Sequence, residues 1–123
     1  MANILLIDDD TNVNLALGII LKGAGHQVVS LFDGSKVLSH MQDIDLVITD
    51  VIMPNVDGIE VLNAMKKEHP NIPVIVVSGG GRISADMYLQ SAKVIGAKEV
   101  LHKPIDTDAL INTVDKVLNQ AKA

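Results

Sequence analysis

The chain has 123 residues, 48% of them apolar and 20% charged, with a formal net charge of −5 and no cysteine. That length holds one domain with a real core but not two. The missing cysteines exclude a disulfide scaffold and a thiolate zinc site, and the acidic balance argues against a nucleic-acid or anionic-membrane surface. No apolar run approaches membrane-spanning length, and Met1-Ala2-Asn3 leads into a strand without a signal-peptide pattern, so the expected setting is the cytoplasm. The four histidines, His26, His40, His69 and His102, have no ligand spacing and read as surface residues.

Ile4-Leu5-Leu6-Ile7, closed by Asp8-Asp9-Asp10, reads as a first buried strand. Val13, Ala16, Leu17, Ile20 and Leu21 then recur at the spacing of an amphipathic helix, capped by Asp10 or Thr11 and stopped by Gly23 with Gly25. Gln27 to Phe32 is a second strand, Asp33-Gly34 a turn, and Val37, Leu38 and Met41 mark one side of a short second helix. Asp45 to Asp50 is continuously apolar in its middle, the mark of a strand buried on both faces. Pro54 forbids further pairing and Asn55-Val56-Asp57-Gly58 supplies a turn.

Ile59, Leu62 and Met65 mark a third helix, with Lys66-Lys67 suiting its dipole and Pro70 ending it. Val74 to Val77, ending in Ser78, is a fourth strand. Gly79-Gly80-Gly81 follows, then a weakly amphipathic fourth helix from about Ile83 to Ile95, stopped by Gly96. Val100-Leu101 is a short fifth strand before Lys103-Pro104. Leu110, Val114, Val117 and Leu118 line a last helix capped by Asp106 or Thr107. Five βα units with short connections call for an α/β, doubly wound parallel sheet with helices on both faces, in one domain spanning 1–123.

Four strand ends carry polar groups: Asp8-Asp9, Asp50, Ser78 and Lys103. A strand-end Asp can be a turn former, one Asp of the first three suffices as a helix cap, and Lys103-Pro104 alone is a surface turn. Together they fall on the carboxyl rim of neighbouring strands, where open α/β sheets place their ligands. Clustered carboxylates repel unless a cation joins them. A hard ion such as Mg2+ fits, because it takes a few carboxylates and a phosphate oxygen. With a lysine point charge and a hydroxyl donor, such a rim suits phosphoryl transfer to a carboxylate.

Over essentially its whole length the sequence resembles the receiver domain of bacterial two-component response regulators. The resemblance is carried by Asp8-Asp9, Asp50-Val51-Ile52-Met53-Pro54 with Asp57-Gly58, Ser78-Gly79 and Lys103-Pro104. It implies a flavodoxin-like fold with strand order 2-1-3-4-5, and an Asp50 that takes a phosphoryl group from the phosphohistidine of a sensor histidine kinase or phosphotransfer protein. It further implies that Asp8, Asp9, Asp50 and the backbone carbonyl of Ile52 hold Mg2+, that Ser78 moves to bond the phosphoryl group, and that Lys103 pairs with it. The partner downstream is an unspecified protein target, with no direct nucleic-acid or membrane contact. The domain is a phosphorelay signal transducer that assists its own transfer and slow dephosphorylation, and is not an enzyme in the ordinary sense.

Two departures bear on signalling. The place three before the lysine, often aromatic in receivers, holds Val100, and the stretch from Ser78 to Lys103 is long by about one helical turn. The triple glycine is either a flexible loop or a means of moving the fourth helix, which carries Tyr88, the one tyrosine. Ile52 and Gly80 stand where fast-hydrolysing receivers have side chains that orient water, so a slow loss of phosphate is expected.

Competing readings are a pseudo-receiver that binds without phosphoryl transfer, a haloacid-dehalogenase-type hydrolase and a flavin carrier. The intact acidic set and Lys103 count against the first. The second wants an acid where Ile52 stands. The third wants a hydroxyl- and glycine-rich loop where Asp8-Asp9-Asp10 would repel a phosphate. Whether the domain stands alone or belongs to a longer chain is left open.

Overall fold

The computed structural model describes residues 2–50, 58–78 and 96–122. Five strands, β1 (Asn3–Ile7), β2 (Gln27–Leu31), β3 (Leu46–Asp50), β4 (Val74–Ser78) and β5 (Glu99–His102), form one parallel sheet in the order β2-β1-β3-β4-β5. Helices α1 (Thr11–Gly23), α2 (Gly58–Glu68) and α3 (Thr107–Lys122) flank it, with a 3-10 turn at Val37–His40. Among the described residues no helix is long and apolar enough to cross a membrane.

Side chains alternate across a strand, so each strand feeds two cores. Ile4, Leu6, Ile48, Ile75 and Val77 meet Leu17 and Leu21 of α1 and Leu110, Val114 and Val117 of α3. Leu5, Ile7, Val47, Val74 and Val76 meet Val61, Leu62 and Met65 of α2, together with Val37 and Met41. All five residues of β3 are buried, as its continuous apolar run predicts. Complete burial of a leucine such as Leu21 stabilises by about 2 kcal/mol over leaving it in water.

Helix ends follow local chemistry. Asp10 is the N-cap of α1, its carboxylate accepting the Asn12 and Val13 N–H groups. The other end closes when the Gly25 N–H donates to the Lys22 carbonyl and the His26 N–H to the Leu21 carbonyl. Gly25, at φ 96°, supplies the left-handed residue this turn requires, so it and not Gly23 is the stop. Asp106 caps α3 by accepting the Ala109 N–H at 3.0 Å.

The segment predicted as a short second helix is a correction. It is a single 3-10 turn, with Val37 and Met41 buried and Leu38 43% exposed. Leu38 points away from Val37 and faces solvent, and a segment of one turn has no second turn to bury it. The second strand also stops at Leu31, leaving Phe32 exposed, while β5 extends by one residue at either end of the predicted Val100-Leu101. The 51–57 loop, the triple glycine and the predicted fourth helix lie outside the described residues.

Candidate functional site

The ladder brings the polar strand ends together. Ile7 pairs with Thr49, so the next residues, Asp8 and Asp50, fall side by side. Asp50 pairs with Val77, and Ser78 with His102, which places Lys103 one step farther along the same rim. Asp8 lies just past β1 and still donates its N–H to the Leu31 carbonyl at 3.1 Å.

Asp8 and Asp50 are buried, at 1% and 5% exposure. One Asp8 oxygen accepts the Asp10 N–H at 2.9 Å, and the other takes the Lys103 ammonium at 2.8 Å. The same ammonium lies 3.3 Å from Asp50 Oδ2. The shorter contact falls within the range of a strong charge-assisted bond and the longer does not, so Asp8 is the principal partner. Burial pulls the Lys103 ammonium down. The hydrogen bond to Asp8 and the attraction of Asp50 and Asp8 outweigh burial, and its pKa is raised above the ordinary 10.5.

Asp9, exposed on the surface, brings a carboxylate oxygen to within 4.8 Å of those of Asp8 and Asp50. Among the described residues, three carboxylates face one ammonium in a partly buried recess, a formal surplus of negative charge. An all-oxygen set with that surplus fits a hard divalent cation such as Mg2+. Asp10 belongs to the helix cap instead, which separates the roles of the three consecutive acids.

Of the residues singled out in the sequence, Asp8, Asp9, Asp50 and Lys103 converge. Ser78 is the last residue of β4, and Ile52 lies outside the described residues, as do Gly80 and Tyr88. Val100, in the place often aromatic in receivers, packs half-buried against the α2-side core. Sequence reasoning missed Asn14, fully buried in the first turn of α1 and bonded to the backbone of Asp8. The signal was present: Asn14, Leu17, Gly18 and Leu21 are spaced as one buried helical face.

Fold and rim together define a doubly wound α/β domain with an acidic, lysine-bearing recess at the carboxyl ends of its central strands. Residues 4–115 match the family described as the response regulator receiver domain, and the chain belongs to that family. It is therefore a phosphoacceptor signalling domain, a transducer of signals.

The chain is 37% identical over 116 residues to the CAI-1 autoinducer sensor kinase/phosphatase CqsS of Vibrio cholerae, covering 90% of this chain and 16% of that protein. To the transcriptional regulatory protein GlrR of Escherichia coli it is 34% identical over 122 residues, covering 98% and 27%. The chain thus spans about a sixth and about a quarter of these two relatives. A response regulator receiver domain from Clostridium thermocellum superposes with a TM-score of 0.87 at 30% identity, covering 99% of this chain and 98% of that one.

Proposed function

We propose that Asp50 is the phosphoacceptor and that the chain, as one receiver domain over 1–123, takes its phosphoryl group from a phosphohistidine on a sensor kinase or phosphotransfer protein. The observation that carries this reading is the buried Asp50 carboxylate at the end of the central strand, within reach of both Lys103 and Asp8. Similarity to a sensor kinase and to a transcriptional regulator supports a kinase as donor.

In the transfer an Asp50 oxygen attacks phosphorus as the imidazole nitrogen departs on the opposite side, so one P–O bond forms and one P–N bond breaks. Asp8 and Asp9, with Asp50 and the Ile52 carbonyl, would hold Mg2+, which supplies positive charge to the phosphoryl oxygens and offsets the carboxylates. Lys103 exchanges Asp8 for a phosphoryl oxygen and keeps an anionic partner throughout. The Ser78 hydroxyl donates to another oxygen of the group. The domain thereby assists its own phosphorylation without turning over a separate substrate.

Output follows from the same contacts. Ser78 ends β4 opposite His102, next to Lys103, so a phosphoryl group engaging both biases the segment between them and the surface it offers a protein target. The net charge of −5 favours a protein over nucleic acid or an anionic membrane as that target. Incubation with acetyl phosphate and Mg2+ should add one phosphoryl group, and Asp50→Asn should abolish it. Equal labelling of the variant would remove Asp50 from the role.

A further inference from the structure

We propose that Asn14 is a positioning residue for the Asp8–Asp9 half of the cation site. The proposal rests on the reading of that site given above and adds to it the residue that sets its geometry. Asp8 lies beyond the last residue of β1, where sheet pairing has run out and one bond to Leu31 remains. The Asn14 amide occupies the gap. Its Nδ2 donates to the Asp8 carbonyl at 3.0 Å and to the Leu31 carbonyl at 2.9 Å, spending both hydrogens on the ends of two adjacent strands.

The peptide joining Asp8 to Asp9 is planar, so a fixed Asp8 carbonyl also fixes the direction in which the chain enters Asp9. One side chain therefore governs how two carboxylates are presented. Its own base is rigid: the Asn14 N–H bonds the Asp10 carbonyl at 2.9 Å, inside the first turn of α1. Loss of a group that orients metal ligands from behind typically weakens metal binding about tenfold to a hundredfold.

Packing alone does not call for this residue. Asn14 is 0% exposed, and its Oδ1 has no hydrogen-bond partner among the described residues. An unmet buried acceptor destabilises, and a leucine of similar bulk on this buried face would remove it. The same exchange would leave the Asp8 carbonyl unmet, one unsatisfied acceptor for another, while Leu31 keeps its bond from Asp8. What the leucine cannot supply is the clamp.

The test compares Asn14→Leu with wild type and with Leu17→Ala, which injures α1 packing in the apolar core three residues away and removes no hydrogen bond to Asp8. Mg2+ alone is titrated while the backbone amides of residues 8–10 and 50 are followed by NMR, and Tm is measured on each protein. Asn14→Leu should unfold near the wild-type Tm while its Kd for Mg2+ rises about tenfold. Leu17→Ala should lose Tm and keep its Mg2+ affinity. Asn14→Ser, which retains one donor, should fall between, and serves if the leucine variant does not fold. Unchanged Mg2+ affinity in both Asn14 variants, or equal weakening by Leu17→Ala, overturns the positioning role and leaves the cation site intact. Wild type that binds no Mg2+, or binds it without needing Asp8, overturns the cation site itself and the positioning role with it.

Discussion

Replacing Lys103 with methionine keeps most of the side-chain volume and removes the one ammonium that faces Asp8 and Asp50 in the described recess. At 2.8 Å from Asp8 Oδ2, the Coulomb attraction is about 6 kcal/mol at an effective dielectric of about 20. Desolvation takes back much of it, since the lysine side chain is only 16% exposed and that of Asp8 2%. The net loss on breaking such a buried pair by removing one partner is about 3 kcal/mol, because the Asp8 and Asp50 carboxylates stay buried without their ammonium. For a domain of this size that lowers Tm by about 10 °C in metal-free buffer.

Mg2+ changes the comparison. A ligand at about a hundredfold its Kd stabilises the folded state by about 2.7 kcal/mol, and its affinity is greater where no ammonium competes for the same carboxylates. The variant should therefore recover most of its lost stability on adding Mg2+, and gain more from it than wild type does. Thermal unfolding followed by circular dichroism, with EDTA and with saturating Mg2+, measures all four values. A variant as stable as wild type in EDTA, or an equal Mg2+ gain in both proteins, would refute a lysine that neutralises the recess.

Three further outcomes are expected. Ile52→Asn should shorten the phosphoryl lifetime, measured after removing the donor, by about tenfold, since a side chain two places past the acceptor can then orient the attacking water. A wild-type half-life of seconds, unchanged by the substitution, would show that another group positions that water. Asp10→Ala should cost about 1 kcal/mol in urea unfolding through loss of the α1 cap, with Mg2+ affinity kept, because Asp10 accepts helix N–H groups. A large fall in Mg2+ affinity would make Asp10 a ligand. On adding a phosphoryl mimic, amide exchange should change between Gly79 and Val100; changes confined to α2 and the 3-10 turn would move the signalling surface there.

Legibility in the sequence tracked how completely a pattern was determined by burial. Both faces of β3 are covered, so Leu46 to Ile48 had to be apolar and the strand, with the acid that ends it, stood out. The rim could be assembled from strand ends alone because parallel register carries Asp8 beside Asp50 without any side-chain detail. Short segments were harder to read. In the 3-10 turn, Val37, Leu38 and Met41 fit a helical side as spelled, but one turn is too short to bury that side whole, and Leu38 is left in water. The capping alternatives at Asp10 and Thr11 differ by one residue and are decided by backbone geometry that composition does not express.

Asn14 was missed for a different reason. A polar residue early in a helix ordinarily faces solvent, and its burial becomes meaningful only once the Asp8 and Leu31 carbonyls are seen to end beside it. The Lys103 pairing shows the same limit. Sequence pattern placed the lysine at the rim, but which carboxylate it prefers is a matter of half an ångström (2.8 Å against 3.3 Å).

The central claim is that Asp50 carries the phosphoryl group, and the most direct measurement is to locate the modification chemically. After phosphorylation with acetyl phosphate and Mg2+, borohydride reduces an aspartyl phosphate to homoserine, and peptide mass spectrometry reads the position. The account expects homoserine at position 50 alone, and none without Mg2+. Reduction at position 8 or 9 with residue 50 recovered as aspartate would contradict it.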